Sequence, residues 1–443
     1  MQRLRWIETF LLLVITIQSI FVLSTNSSSL TRDIGVGITS AVLILYLLPQ
    51  HKWRFELTFA YAALVANLCY LFANSDHPSA GLLIGLLAVA ILITFLFQLP
   101  DFPALPGAYK TIGCVTKRIN GMDCRVYYPS CMESHSSKKF ERNQKRIPYL
   151  HHGHHLAKGL SVFSKVPAIT FNNLQNGYLH ARANLNIADF SLPNNESIEQ
   201  ESSTGWPIVV FSHGLGGSIE LYTSIHEQIA SEGIIVIALN HNDGSSSVVR
   251  VFNEEEPNDI GFRYYSPLPA SALKDWEGEA YGIRNKQLQQ RTREVKAVID
   301  GLEEINNNTV DIFYHQFNLN DIALCGHSFG GATAFTSSCR DPRISAVVVL
   351  DGWLAPMDKD VLERGYDGPV LHIISQQWLE WTTHMETVLK LKAACPHEKS
   401  RLMTIKNSRH NNFSDLPLFS PVRIFSYYPN TRSRQSNKCF DHD

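Results

Sequence analysis

Residues 322–331 of the 443-residue chain read Ile-Ala-Leu-Cys-Gly-His-Ser-Phe-Gly-Gly, and this pattern predicts the architecture around them. The apolar residues 322–325 predict a buried strand, and the run that begins at Phe329 has helical spacing. Between them lies Gly-X-Ser-X-Gly, the pattern of a sharp strand-to-helix turn that raises a serine hydroxyl above the edge of a sheet. The helix then directs its N-terminal amides toward developing negative charge. A glycine-rich turn with an incidental serine is the alternative, but the strand–turn–helix context favours Ser328 as a nucleophile.

The sequence on both sides alternates between short apolar runs and helical spacing. The predicted strands are Ile208–Phe211, Ile234–Leu239, Asp321–Cys325, Ile344–Leu350, Val370–Ile374 and Leu402–Ile405. The predicted helices are Ser218–Ser231, Asn285–Ile305 and Phe329–Ser338. Further upstream, Cys114–Ile119 and Met122–Tyr128 flank Asn120-Gly121, a favoured hairpin turn. Strands that alternate with helices predict the α/β class with a doubly wound, mostly parallel sheet.

A nucleophilic serine requires a general base and a group that orients the base. Asp351 directly follows the predicted strand 344–350, so it lies at a carboxyl end, where open α/β sheets place their sites. His410 follows the last predicted strand by a short loop. The weaker alternatives are Asp341, Asp358 and Asp360 for the acid and His397 for the base. In the α/β-hydrolase fold the chain order is serine, acid, histidine, so we predict a triad of Ser328, Asp351 and His410.

An oxyanion hole requires two backbone amides close to the serine. One is predicted at Phe329, directly after the nucleophile, and the second in a loop after an earlier strand. The sequence His213-Gly214-Leu215-Gly216-Gly217 follows the strand at 208–211, which makes Leu215 the second predicted donor. A glycine-rich connector without a catalytic role is the alternative. His327 is interpreted as a packed structural histidine inside the turn.

Four closely spaced histidines, at positions 151, 152, 154 and 155, could bind zinc. No acidic or thiol side chain is near them in sequence, so we predict a solvated loop there. The eight cysteines show neither a Cys-X-X-Cys pair nor a pairing rhythm, which argues against a structural metal or a disulfide framework. We therefore predict no metal and no cofactor. The formal net charge of −2 argues against a nucleic-acid partner.

The first hundred residues contain nine of the 80 charged residues and four apolar runs. These runs are Trp6–Leu23, Ile34–Leu48, Leu57–Ala73 and Ala80–Leu99. About 20 apolar residues span a bilayer, so we predict four transmembrane helices. Basic residues before the first run, in the second loop and after the fourth run predict a multi-pass membrane protein whose catalytic domain is cytoplasmic. A signal peptide followed by fewer spans is the alternative. The predicted domains are 1–100 (transmembrane), 101–425 (catalytic) and 426–443 (a loosely ordered tail).

From about Pro106 to Leu418 the sequence resembles the platelet-activating factor acetylhydrolase family of α/β-hydrolase phospholipases. The resemblance includes Val210-Phe211-Ser212-His213-Gly214-Leu215-Gly216, Ile283-Arg284-Asn285, Gly326–Thr333, Leu350-Asp351-Gly352-Trp353 and His410-Asn411-Asn412-Phe413. It also includes Gly107–Cys114 and Arg125–Ser130. Carried over, the family's triad falls on Ser328, Asp351 and His410, and its oxyanion amides fall on Leu215 and Phe329.

The resemblance implies a serine esterase that hydrolyses the sn-2 acetyl or short acyl ester of phospholipids without calcium. The implied partners are a phospholipid substrate and the membrane that holds it. The four N-terminal runs depart from the secreted form of the family, and Leu160–Phe171 is a candidate for its membrane-docking helix. A general membrane-bound carboxylesterase or a lipid acyltransferase would use the same triad. An inactive lipid sensor is a further alternative.

Overall fold

The structure is a computed structural model that describes residues 13–20, 58–73, 80–96, 102–130, 146–188, 190, 205–252, 260–418 and 439–441. The chain forms two compact units. One comprises residues 1–101, 169–177 and 419–421, and the other comprises residues 102–168, 178–418 and 422–443. The candidate active-site residues all belong to the second unit.

The first unit is helical where it is described. Helix α1 is Thr58–Ala73 and helix α2 is Ala80–Leu96, while residues 13–20 are also helical. Small and branched apolar side chains form its core: Ile15, Ala60, Ala63, Leu64, Leu83, Leu87 and Ala90. Asn67 donates a hydrogen bond to the Ser19 hydroxyl at 3.2 Å within this core.

The four predicted membrane spans are not confirmed. Within the described residues, no helix is long and apolar enough to cross a membrane. Helix α2 has 17 residues, which at 1.5 Å per residue is about 26 Å, shorter than the roughly 30 Å of a bilayer core. The predicted run 34–48 lies outside the described residues, and only 13–20 of the run 6–23 is described.

In the second unit, strands and helices alternate along the described residues. The strands are β1 (Thr111–Ile119), β2 (Met122–Ser130), β3 (Arg146–Pro148), β4 (Tyr178–Arg182), β5 (Trp206–Ser212), β6 (Ile235–Leu239), β7 (Val248–Phe252), β8 (Ile260–Tyr264), β9 (Phe317–His327), β10 (Ile344–Leu350), β11 (Val370–Ser375), β12 (Arg401–Ile405) and β13 (Cys439–Asp441). The helices are α3 (Gly153–Ser164), α4 (Thr223–Ser231), α5 (Tyr281–Asn307), α6 (Phe329–Ser338), α7 (Lys359–Arg364), α8 (Gln376–Leu379) and α9 (Thr382–Ala393).

The main sheet has the order β13-β12-β11-β10-β9-β5-β6-β2-β1-β4-β3. Strands β12, β11, β10, β9, β5 and β6 are parallel, which confirms the predicted α/β class and mostly parallel sheet. Leu350 pairs with His327, and Ser212 pairs with Gly326, so three strands end at the same edge. Because the chain leaves each strand there, Ser328, Asp351 and the loop after Ser212 meet at this edge.

The predicted hairpin between β1 and β2 is confirmed. Ile119 pairs with Met122 across the turn, and both turn residues have positive φ, 42° at Asn120 and 84° at Gly121. Two positive φ values match the twist of the flanking strands, which is why Asn-Gly is favoured there.

The histidine-rich segment differs from the predicted solvated loop. Helix α3 begins at Gly153, and the ring of His155 stacks on Phe262 at 3.6 Å and hydrogen-bonds to the Tyr264 hydroxyl at 2.7 Å. The partner residues lie on β8, about a hundred positions away, so local sequence could not reveal this packing. In the described part of the chain, no group of three His, Cys, Asp or Glu side chains could hold a metal.

The loosely ordered tail predicted for 426–443 lies outside the described residues, apart from β13. This short strand pairs antiparallel with β12, with Phe440 opposite Thr404.

Candidate active site

The predicted nucleophile lies on a strained turn between β9 and α6. Ser328 has φ 57° and ψ −119°, a conformation that costs a non-glycine residue about 1–3 kcal/mol. Its backbone is held on both sides, because its amide donates to the Leu350 carbonyl at 2.9 Å and its carbonyl accepts from the Trp353 amide at 2.8 Å. The bonds tie the turn to the end of β10, so the strained backbone is fixed by its neighbours.

The turn leaves no room for a side chain at Gly330. A Cβ atom there would lie 2.0 Å from the backbone oxygen of Ser212, which cannot move without breaking β5. We expect Gly330→Ala to lower the free energy of unfolding by about 3 kcal/mol or more, measured by urea denaturation. Gly282→Ala in α5 is the matched control, because a Cβ at Gly282 meets nothing within 4 Å. Equal stability of the two variants would contradict this close packing.

The predicted acid and base contact each other directly. Asp351 is fully buried, and its Oδ2 lies 3.2 Å from His410 Nδ1. Ser375 donates to the same carboxylate twice, from its amide to Oδ1 at 2.6 Å and from its hydroxyl to Oδ2 at 2.5 Å. Because the ionised carboxylate can only accept, Nδ1 of His410 donates, which leaves Nε2 of the neutral ring free to accept a proton.

His327 links the nucleophile turn to the loop that carries His410. Its Nε2 lies 3.0 Å from the His410 carbonyl oxygen and must donate, so its Nδ1 accepts from the Tyr222 hydroxyl at 2.9 Å. Tyr222 in turn accepts from the Gly214 amide at 3.0 Å. Burial, reinforced by the neighbouring His410, holds the pKa of His327 well below its ordinary value, so the ring stays neutral. This confirms a structural position for His327 inside the turn.

Removing the Tyr222 hydroxyl should weaken this chain of hydrogen bonds. In Tyr222→Phe both the Gly214 amide and His327 Nδ1 lose a partner inside the protein, at a cost of about 1–3 kcal/mol each. We expect kcat for ester hydrolysis to fall about tenfold while the far-ultraviolet circular dichroism spectrum is unchanged. An unaltered kcat would show that these hydrogen bonds do not position the catalytic residues.

The two predicted oxyanion donors flank the nucleophile turn. A Cβ on Gly214 would lie 3.1 Å from the Ser328 Cβ, which places the 213–217 loop beside the serine. The neighbouring amides of Gly214 and Gly216 already donate, to Tyr222 and to Ser245. Within the described residues, the Leu215 and Phe329 amides donate to no protein acceptor, so both can bind a substrate oxygen. Their role as an oxyanion hole stays a prediction.

Arg291 contacts both segments that carry the predicted oxyanion donors, and no sequence pattern had identified it. It is fully buried on α5, donates from Nη1 to the His213 carbonyl at 2.7 Å, and lies 4.4 Å from the centroid of the Phe329 ring. Its Nε also donates to Asp243 at 2.9 Å. Burial alone would raise the pKa of Asp243, but the Arg291 charge, the neighbouring His241 and the hydrogen bonds from Ser245 together hold the pKa below its ordinary value. The buried pair therefore stays ionised.

The weaker candidates Asp341, Asp358 and His397 form hydrogen bonds with other residues. Asp341 accepts from Arg343, and Asp358 accepts from Asn285, Gln289 and Arg340. His397 Nδ1 accepts from the Lys399 amide at 3.1 Å.

Among the described side chains, no hydrogen bond joins the Ser328 hydroxyl to His410; such bonds commonly tighten only once substrate is bound. The geometry therefore favours Asp351 and His410, and the catalytic roles stay predictions.

Comparisons with known proteins show which family the chain belongs to. Residues 96–442 match the family model described as platelet-activating factor acetylhydrolase, isoform II. The platelet-activating factor acetylhydrolase of Canis lupus familiaris is 28% identical over 337 residues, covering 72% of this chain and 69% of that protein. The enzyme of the same name from Bos taurus is 28% identical with the same coverage, and that of Gallus gallus is 26% identical, covering 72% and 75%. The chain belongs to the platelet-activating factor acetylhydrolase family, isoform II, and is a carboxylic ester hydrolase.

Proposed function

We propose that this enzyme hydrolyses the sn-2 acetyl or short acyl ester of platelet-activating factor-like phospholipids, with 1-alkyl-2-acetylglycerophosphocholine as the reference substrate. The observation that carries the proposal is the Asp351–His410 contact at the sheet edge where the strained Ser328 turn also lies. The names of the relatives support the substrate class.

In the proposed mechanism, His410 Nε2 takes the Ser328 proton as the serine oxygen attacks the sn-2 carbonyl carbon. The C–O bond to the glycerol breaks, and His410 gives the proton to the departing lyso-lipid oxygen. Water, deprotonated by the same imidazole, then releases the acyl group as a carboxylic acid and restores the serine hydroxyl. Asp351 holds the ring in the required tautomer and stabilises its positive charge.

The proposal includes calcium independence, because the protein can stabilise the tetrahedral oxyanion with its own amides. The Leu215 and Phe329 amides are the proposed donors, and losing one such donor typically costs about 10²–10³ in rate. Activity should therefore persist in excess chelator.

The test is a substrate panel for the full-length chain in EDTA. The panel contains phosphocholines with sn-2 acyl chains from acetyl to palmitoyl, and p-nitrophenyl acetate. We expect a higher kcat/KM for the 2-acetyl phospholipid than for both the 2-palmitoyl phospholipid and the simple ester. A preference for the simple ester would favour a general carboxylesterase, and product that requires an alcohol acceptor would favour an acyltransferase.

We also propose that the N-terminal hundred residues associate with a membrane and that the catalytic unit faces the cytoplasm. The support is the four apolar runs and the low charge of this segment, together with exposed apolar side chains on α2, such as Leu82, Ile84 and Leu92. In cells, the chain should stay in the pellet after alkaline carbonate extraction, and protease should cut the catalytic unit without permeabilisation of intact organelles. Release into the supernatant would contradict membrane association.

A further inference from the structure

The ring of Trp378 lies flat against the predicted general base. Helix α8 follows β11 directly, and it places the Trp378 ring 4.1 Å from the His410 ring, with only 2° between the two planes. Gln377 on the same helix accepts from the His410 amide at 3.0 Å, and Ser375 just before the helix holds Asp351. Three side chains within residues 375–378 therefore contact the histidine or its partner: Ser375 the carboxylate, Gln377 the backbone and Trp378 the ring face.

The other side chains around the His410 ring determine which charges lie near it. The His327 ring lies 4.4 Å from the His410 ring at an angle of 38°, and its lowered pKa keeps it neutral. His384 on α9 packs edge-on against Trp378 at 4.8 Å, and burial lowers its pKa to about 4, so it is also neutral at physiological pH. Asp351 supplies the negative charge at Nδ1, and Arg409 precedes His410 on its own loop.

We infer that Trp378 is a positioning residue that stabilises the protonated form of His410 during the reaction. This inference rests on the proposed catalytic role of His410. The face of an indole carries negative electrostatic potential, and it attracts a cation placed over it more strongly than a neutral ring. In the proposed mechanism His410 gains its positive charge as Ser328 attacks, so the stacking favours the transition state over the resting enzyme.

This inference predicts an effect on kcat and on the pH profile, which packing alone would not produce. In Trp378→Leu, which keeps an apolar side chain, we expect kcat to fall about fivefold with little change in KM. The acidic limb of the kcat/KM profile should move about half a pH unit lower, because the protonated base has lost a stabilising partner. Trp378→Phe, which keeps an aromatic face, should recover part of both effects.

Trp381→Leu is the matched control. Trp381 stacks on His384 at 4.8 Å and meets the Trp378 ring edge-on at 5.5 Å, and among the described ring contacts it has none with His410. We expect its kcat and pH profile to equal those of the wild type. The kinetic inference is overturned if Trp378→Leu keeps the wild-type pH profile, or if Trp381→Leu shifts it equally.

A fluorescence titration tests the contact without any substrate. A protonated imidazole quenches the fluorescence of a stacked indole more strongly than a neutral one. The wild-type minus Trp378→Phe emission should therefore fall in a step as pH is lowered, and this step should vanish in His410→Gln. A step that persists in His410→Gln would overturn the inference. A normal step in an enzyme that cleaves no phospholipid would instead refute the proposed function and leave the Trp378–His410 contact standing.

Discussion

Replacing Ser328 with alanine is expected to reduce kcat by about 10⁶-fold, because the side chain that forms the acyl-enzyme is removed. The variant should fold normally. The strained backbone at Ser328 is held by hydrogen bonds through its own amide and carbonyl, and alanine keeps both. Acetate release from 1-alkyl-2-acetylglycerophosphocholine measures the effect, and retained binding of the substrate in vesicles shows that the site is still formed.

Ser337→Ala is the matched control for this prediction. Ser337 lies on α6, is buried, and its hydroxyl has no hydrogen-bond partner in the described structure. Its removal therefore should leave kcat unchanged. Activity in Ser328→Ala within tenfold of the wild type would exclude Ser328 as the nucleophile.

The second large effect is expected from Asp351→Asn, which should lower kcat by about 10⁴-fold. Within the described structure the carboxylate accepts three hydrogen bonds, two from Ser375 and one from His410. An amide placed there has to direct an NH₂ group toward one of these donors. If it faces the ring, Nδ1 becomes the acceptor and Nε2 carries the proton, so the base is in the wrong tautomer. The measurement is kcat across the pH range.

Asp360→Asn is the control for the loss of one carboxylate. Asp360 is exposed on α7, and it was a weaker candidate for the acid. We expect wild-type kcat from this variant. If Asp360→Asn or Asp358→Asn caused the larger loss, the assignment of the acid to Asp351 would be wrong.

The residues at the sheet edge could be predicted from the sequence because the patterns that mark them are local. Residues 322–331 encode a buried strand, a glycine-permitted turn and a helix within ten positions, and the structure has β9, Ser328 and α6 there. Asp351 was recognisable because it follows a β-branched apolar run, and Asn120-Gly121 because that pair suits a tight hairpin. The predicted helix at 218–231 begins later, at Thr223, because residues 218–222 form a buried turn before it.

The supporting residues could not be predicted, because their partners are far away in sequence. Arg291 meets His213 across 78 positions, and Tyr222 meets His327 across 105. Both look like ordinary surface or helix residues in the sequence. The segment between Ser130 and Pro207 seemed irregular, yet it contains α3 and the short strands β3 and β4, which carry too few residues for a clear pattern. The apolar N-terminal runs predicted spans from composition, whereas the described helices there are 16 and 17 residues long.

The most direct test of Ser328 as the nucleophile is to trap the reactive residue covalently and locate it. The full-length enzyme is incubated with a fluorophosphonate, digested, and its peptides are mapped by mass spectrometry, with and without excess 1-alkyl-2-acetylglycerophosphocholine. We expect one phosphonyl adduct, on Ser328, whose formation the phospholipid slows and which Asp351→Asn delays. An adduct on another residue that abolishes acetate release, or full acetate release from enzyme labelled stoichiometrically at Ser328, would contradict this assignment.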